Sequence, residues 1–320
     1  MTQPAIPRFA DLLAREGAPP GAAWGVFGDD DTLGCLNLLT PERVVAAART
    51  VRKGRVFPLD LPLDQPDPPL FGRQPLRHTI IDMGGGMACD DYLDNFYPQA
   101  SSQWDALRHI RHPQHGFYNG CPDAEAPARL GIDHFARRGI VARGVLLDAD
   151  RYLRQKGAPL DPKGSAVITP ETLDECSRAQ GVQLLPGDAL IVRTGWLAWY
   201  LNEAAREDRE QLTDLGKLKT PGLGPVQEMA EFLWDHQVAA VAADNPALEP
   251  WPVNVGASGG FLSLHLVLLP LLGMPIGELW YLDDLAADCA ADGVYEFLLA
   301  SAPLHVRQGS GSTANALAVK

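Results

Sequence analysis

The chain has 320 residues, 46% of them apolar and 21% charged, with 27 Lys and Arg against 40 Asp and Glu for a net charge of −13. That length sustains a sizeable core in one large domain or two smaller ones, and so acidic a surface opposes nucleic acid and anionic lipid as partners. The five cysteines (Cys35, Cys89, Cys121, Cys176, Cys289) are odd in number, scattered and without a Cys-x-x-Cys pair, which argues against a disulfide framework or a thiolate zinc site.

The N-terminus lacks a basic start followed by an apolar run, so no signal peptide is expected. A short helix is predicted over Arg8 to Glu16. Thr40-Pro41-Glu42 then reads as a helix start, with Thr as the cap and Pro at the first helical position, continuing through Arg43 to Val51. Residues 55–76 carry six prolines (Pro58, Pro62, Pro66, Pro68, Pro69, Pro75) and read as an extended segment with loop. Gly84-Gly85-Gly86 marks a turn.

Gly139 to Leu147 reads as a strand. Thr169-Pro170-Glu171 repeats the helix start, and Ala189 to Arg193 is a strand too continuously apolar to have a solvated face. Residues 203–220 are charged and read as mobile. Pro225 to His236 has helical spacing, and Val238 to Ala243 returns as a strand. The run Phe261 to Leu272 is apolar almost throughout, yet too short and too interrupted by His265 and Pro270 to span a bilayer. Gly309-Ser310-Gly311-Ser312 reads as a turn. Helices and strands alternate without a linker-like break, so one α/β domain over residues 1–320 is expected, with residues 1–55 as an N-terminal helical extension.

The densest chemistry lies in Ser101-Ser102-Gln103-Trp104-Asp105-Ala106-Leu107-Arg108-His109. On a strand, Gln103 and Asp105 point to one face. If a helical turn follows, Asp105 and His109, four apart, come together. One strand-to-turn junction would then converge two oxygen ligands and a base. The alternative makes Asp105 a helix cap and His109 a packed residue of the first turn. His265 is a lone imidazole in an apolar run, a position more often filled by a satisfied core histidine. Glu278, thirteen residues on, is a carboxylate in an apolar setting that needs a cation or a donor. His112 and His115 make a cluster by count alone. No Gly-x-Ser-x-Gly elbow, phosphate-binding Gly-rich loop or His-Glu-x-x-His is present.

Taken together these residues resemble the cyclase superfamily of metal-dependent hydrolases, which includes kynurenine formamidase and isatin hydrolase. Its signature is His-x-Gly-Thr-His-x-Asp-x-x-x-His. The chain reads Gln99-Ala100-Ser101-Ser102-Gln103-Trp104-Asp105 through His109, so the Asp and the last His match and both earlier His positions are Gln. The pattern is similar to a divergent branch with lactone hydrolases acting on dienelactones. Further matches run from Trp24-Gly25 through Arg143–Asp148, Gly187-Asp188, Arg193–Trp196, Pro221–Leu223 and Asp244 to His265 and Gly273–Leu279.

The resemblance implies a swivelling β/α/β-type single domain around a mixed, partly barrel-like sheet. It implies one divalent metal, Zn or Mn, on Asp105, His265 and Glu278, with Gln103 as a weak fourth ligand and His109 as general base. The implied activity is hydrolysis of an amide or lactone, of cyclic or N-formyl arylamine type, by metal-activated water. A dehydratase or true cyclase on the same scaffold, and a binding protein with a decayed site, are the rival readings. Trp104, Phe96, Tyr118 and Trp251 are candidate walls of a substrate pocket, though core packing is the commoner role of such residues. A small-molecule substrate, no nucleic acid or membrane partner, a homodimer or homotetramer and a cytoplasmic location complete the expectation.

Overall fold

Both Thr-Pro helix starts form as the sequence predicts. Thr40 Oγ1 accepts from the Arg43 N–H at 3.4 Å at the head of the helix Pro41–Ala48, and Thr169 Oγ1 accepts from the Thr172 N–H at 3.2 Å at the head of Pro170–Gln180. Each proline occupies the first turn, where its missing N–H would have had no partner. These helices belong to a computed structural model that describes residues 6–253 and 263–320.

In chain order the strands are β1 (Val56–Pro58), β2 (Arg77–Met83), β3 (Ala88–Asp94), β4 (Gln103–Asp105), β5 (Ile140–Asp148), β6 (Val167–Ile168), β7 (Ala189–Arg193), β8 (Gly222–Leu223), β9 (Ala240–Ala243), β10 (Ile276–Glu278), β11 (Glu296–Ser301), β12 (Gly311–Thr313) and β13 (Ala316–Val319). Nine of them make one mixed sheet in the order β1-β13-β11-β5-β7-β9-β10-β4-β12. The centre, β5-β7-β9-β10, is parallel, and antiparallel strands flank it on both sides. This mixed sheet is the fold class the resemblance implied.

The physical reason for a parallel centre is visible in β7 and β9. Ala189 to Val192 and Ala240 to Ala243 are buried at every position, as strands covered on both faces must be. Helices Ala149–Gln155 and Pro170–Gln180 lie between β5 and β7 in the chain, and Trp196–Asn202 and Gln227–Asp235 between β7 and β9. Met229, Phe232 and Leu233 of the last helix are buried, on the spacing that predicted it.

The described part of residues 1–55 is packed into the body. Phe9 and Leu12 are fully buried, the Phe9 N–H donates to Asp235 Oδ1 at 2.7 Å, and the Cys35 N–H donates to the Gly273 carbonyl at 2.7 Å. Two expectations are corrected. The charged stretch 203–220 contains a helix, Arg206–Gln211, with Glu207 and Asp208 at its N-terminal turn, where acidic side chains complement the helix dipole. Gly311 and Ser312 belong to β12, which closes the edge of the sheet beside β4 instead of turning away. The apolar run at Phe261 begins in residues outside the described ones. Its described part is the turn His265–Val267 and a wide helical turn Leu268–Leu272 that stops at Gly273, where φ is +66°.

β2 and β3 stand apart from the sheet as a hairpin around Gly84-Gly85-Gly86, and every residue of both strands is exposed. Among the described residues no helix is long and apolar enough to cross a membrane.

Candidate metal centre

Three adjacent strands build the site. β4 lies between β10 and β12, antiparallel to both. The register sets Gln103 opposite Glu278 and Asp105 opposite Ile276. Alternation along β4 sends Gln103 and Asp105 to one face and Trp104 to the other. Trp104 is fully buried there, edge-on to Trp280 with ring centroids 4.8 Å apart, and its Nε1–H donates to Ser301 Oγ at 2.9 Å. Gly277, opposite Trp104, makes this packing possible. A Cβ on it would lie 2.7 Å from the Ala242 Cβ and 2.8 Å from the Trp280 indole nitrogen.

Glu278 ends β10, and Asp244 and Glu249 follow β9, so the site sits at the carboxyl ends of the parallel strands. Open α/β sheets bind ligands at that edge. Asp244 shapes the neighbouring loop by accepting from Thr194 N and Oγ1 at 2.6 and 2.7 Å and from Gly195 N at 2.9 Å.

His265, 160 residues after Asp105 in the chain (265 − 105), comes in from its own turn. Its Nδ1 lies 2.9 Å from Glu249 Oε2, while Nε2 lies 3.1 Å from Glu278 Oε1 and 3.5 Å from Asp105 Oδ2. One ligand atom each from Asp105, His265 and Glu278 falls within 4.8 Å of the others. The Gln103 amide nitrogen donates to Glu278 Oε2. His109 follows the turn after β4, its backbone N–H bonded to the Ala106 carbonyl at 2.8 Å, and its Nε2 is 3.8 Å from Asp105 Oδ1. Its ring meets that of His265 at 6.2 Å between centroids.

The electrostatics are those of three carboxylates crowded on one imidazole. Burial pushes the Glu278 carboxyl up to about 7, the charge on Asp105 adding to the effect while His265 and Arg73 oppose it. Burial works the same way on Asp105, but His109, His265 and Gln99 outweigh it and hold that carboxyl below its ordinary range. Burial also opposes charge on His265, yet Glu249, Asp105 and Glu278 together keep its pKa well above the usual value. For His109 burial wins, and its pKa is lowered.

The donor set fits a divalent cation. Asp105 Oδ2 and Gln103 Oε1 are both buried with no hydrogen-bond partner, and such atoms are costly unless something takes them up. Two carboxylates would balance the charge of the ion. Glu249 on Nδ1 leaves His265 Nε2 facing the two acids, the carboxylate–histidine arrangement that orients a metal-binding imidazole. Nitrogen and oxygen donors without sulfur are borderline-to-hard ligands.

The other candidates separate. Tyr118 is fully buried and its hydroxyl donates to Asp31 Oδ2 at 3.0 Å. Like Trp104 it packs in the hydrophobic core. Phe96 lines a surface cavity with Pro66, Gln74 and Tyr97. Trp251 stands on the loop two residues after Glu249, edge-on to Phe71 at 5.7 Å, and the Arg73 guanidinium lies 5.2 Å above the Phe71 ring. His112 and His115 stack on each other at 4.5 Å. Sequence reading missed Glu249 and Arg73. Glu249 had one signal, a carboxylate flanked by Leu248 and Pro250; Arg73 had none.

Residues 57–250 match the cyclase family model, described as "Putative cyclase". No curated protein sequence matches the chain. Among solved structures, one described as a novel cyclase is 36% identical, covers 93% of this chain and 99% of its own, and superposes with a TM-score of 0.81. Isatin hydrolase A from Ralstonia solanacearum is 20% identical over 88% of this chain and 98% of its own, with a TM-score of 0.57. Isatin hydrolase A from Labrenzia aggregata, bound to benzyl benzoate, is 16% identical over 87% and 97%, also with a TM-score of 0.57. The likeness to the two isatin hydrolases is one of fold.

Proposed function

Because the chain belongs to the cyclase family, we propose that it is a metal-dependent hydrolase of an amide or lactone bond. The observation that carries this reading is the convergence of Asp105, His265 and Glu278 within 4.8 Å, with His265 oriented by Glu249. Those three residues would hold one divalent cation, Zn or Mn, and the unpartnered Oε1 of Gln103 is the available fourth donor. The ion, when bound, supplies Lewis acidity toward a carbonyl oxygen and water.

The chain's own residues do the rest. Gln103 restrains Glu278, and Glu249 fixes the ring of His265. His109, at the edge of the cluster and with its pKa lowered by burial, is the group that meets the reacting oxygen. It acts there as general base or as hydrogen-bond donor, according to which ring nitrogen carries the proton. Phe71, Arg73 and Trp251 pack on one another, and the charge of Arg73 is felt by Glu278 and Asp105, so the three would serve as an aromatic and cationic rim for a flat substrate. A small cyclic amide, lactone or N-formyl arylamine fits this description, and the isatin hydrolases that share the fold act in name on a cyclic amide.

A homo-oligomer is part of the proposal. The hairpin β2–β3 carries Ile80 at 65%, Met83 at 50% and Met87 at 86% exposure. A two-stranded hairpin without a partner is marginal in water, so a second copy of the chain is the natural cover.

The test is metal content. Wild-type protein refolded with Zn²⁺ or Mn²⁺ is expected to retain about one equivalent, and Asp105→Ala and His265→Ala to lose it. Equal and negligible metal in all three sinks the reading. Solvent ¹⁸O found in the product separates hydrolysis from a dehydratase or cyclisation reaction.

A further inference from the structure

Gln99 stands where the family pattern has its first histidine, and its side chain is turned to a use of its own. It lies over the backbone of β12 at Gly311, where an added Cβ would come 2.7 Å from its Cγ and Cδ. Its Nε2 is 2.6 Å from Asp105 Oδ1 and 2.8 Å from His109 Nδ1. A carboxylate oxygen only accepts, so the Gln99 atom that faces it must be the NH₂ group and not the carbonyl oxygen. The reversed amide would set two oxygens against each other at hydrogen-bond distance.

That orientation has a consequence for the histidine. The same NH₂ has a second hydrogen, and it faces His109 Nδ1. A ring nitrogen facing an N–H must offer its lone pair, so Nδ1 is bare. A neutral imidazole carries one hydrogen, which is then on Nε2. Nε2 is the nitrogen on the site side of the ring, 3.8 Å from Asp105 Oδ1.

We propose that Gln99 is a positioning residue that reads the orientation of Asp105 and locks His109 as its Nε2–H tautomer, so that His109 meets the substrate as a hydrogen-bond donor. The proton stays on Nε2. It stabilises negative charge developing on a substrate oxygen, as a neutral imidazole can in a buried site. Acceptance of a proton from water at that nitrogen is not open to this tautomer, so the general-base role expected for His109 is replaced by an electrophilic one. The division of Asp105 is part of the same device: Oδ1 takes the amide, and Oδ2 is left for the cation. The inference rests on the hydrolase reading for its chemical use only, since the tautomer is a property of the folded chain whether or not turnover is found.

The experiment is nitrogen-15 NMR of the full chain with labelled histidine at about pH 8, metal-free and Zn²⁺-loaded, with His109→Asn to assign the ring. Wild type is expected to show His109 Nδ1 unprotonated and Nε2 protonated in both forms. Gln99→Leu, which removes the donor, is expected to give a mixture, and Gln99→Glu, which offers Nδ1 an acceptor, to move the proton to Nδ1. A wild-type proton on Nδ1, or an unchanged tautomer in Gln99→Leu, overturns the proposal. Should both variants fail to fold, the wild-type spectrum still decides it.

Discussion

Glu278 stands directly across the antiparallel register from Gln103, and the Gln103 amide nitrogen is hydrogen-bonded to its carboxylate. The amide therefore supports a carboxylate with one end and leaves its oxygen, buried and unpartnered, at the other. Gln103→Leu keeps the volume and removes both functions. Zn²⁺ affinity, read by competition with a chelating dye, is expected to fall about ten- to a hundredfold, the usual effect of losing a group that orients a metal ligand. Unchanged affinity would show that Gln103 only fills space.

Glu249 touches His265 Nδ1 and not the cluster itself. Glu249→Gln still offers an amide oxygen to the Nδ1–H and is expected to bind metal within a fewfold of wild type. Glu249→Leu frees the ring and is expected to lose about ten- to a hundredfold in affinity. Equal losses in the two variants would mean that the charge of Glu249 matters and its orienting bond does not.

Gly311→Ala tests the floor under Gln99. The added methyl group meets Gln99 carbons at 2.7 Å and the Trp104 carbonyl oxygen at 2.8 Å. Overpacking of this kind typically costs about 1–3 kcal/mol, to be read from the urea midpoint. Displacement of Gln99 should also mix the tautomers of His109 in the NMR experiment. A variant as stable as wild type with an unaltered histidine would show that the sheet edge yields without cost.

Asp60, which is not one of the candidate metal ligands, gives a pH dependence of its own. Its Oδ2 accepts from Ala316 N at 2.7 Å, its Oδ1 has no partner, and burial pushes its pKa up from 3.8 to about 6. A carboxyl that binds its proton more tightly when folded supports folding fully below the unfolded pKa. That support is lost as pH rises through about 6. Asp60→Asn cannot titrate, so its stability relative to wild type is expected to rise between about pH 4 and pH 6 and to level off above. The change is at most about 3 kcal/mol at 1.36 kcal/mol per pKa unit. A constant difference across that window refutes the assignment.

The exposed hairpin predicts the assembly. Ile80→Asp combined with Met87→Asp is expected to lower the mass measured by light scattering toward that of one chain, with the circular dichroism spectrum retained. Wild type already at the mass of one chain would remove the reason to expect a partner there.

Much of the site was legible because its signals are local. Asp105 and His109 are joined by a strand and a turn that nine consecutive residues specify, and the Thr-Pro helix starts and the all-apolar β7 likewise carry their structure in a few neighbours. The proximity of His265 and Glu278 to Asp105 was inferred from a family pattern, because no local rule relates residues 160 positions apart. Glu249 was missed for the same reason, its one local signal being a carboxylate between Leu248 and Pro250. Its function is a hydrogen bond to a ring sixteen residues away, delivered by a loop at the end of β9. Trp104 and Tyr118 were offered as pocket walls because an aromatic looks alike in sequence whether it faces a cavity or a core.

By itself, then, the sequence determined the alternation of helices and strands, the buried character of the central strands and the residue types available for chemistry. Propensity, capping and periodicity act over one turn or one strand, so these need no knowledge of what lies across the sheet. Tertiary structure alone decided that Gln103 holds Glu278 and that Gln99 bridges Asp105 and His109. The first contact depends on strand register and the second on the absence of a side chain at Gly311, and a hydrogen bond has a direction only once its two ends have been brought within about 3 Å.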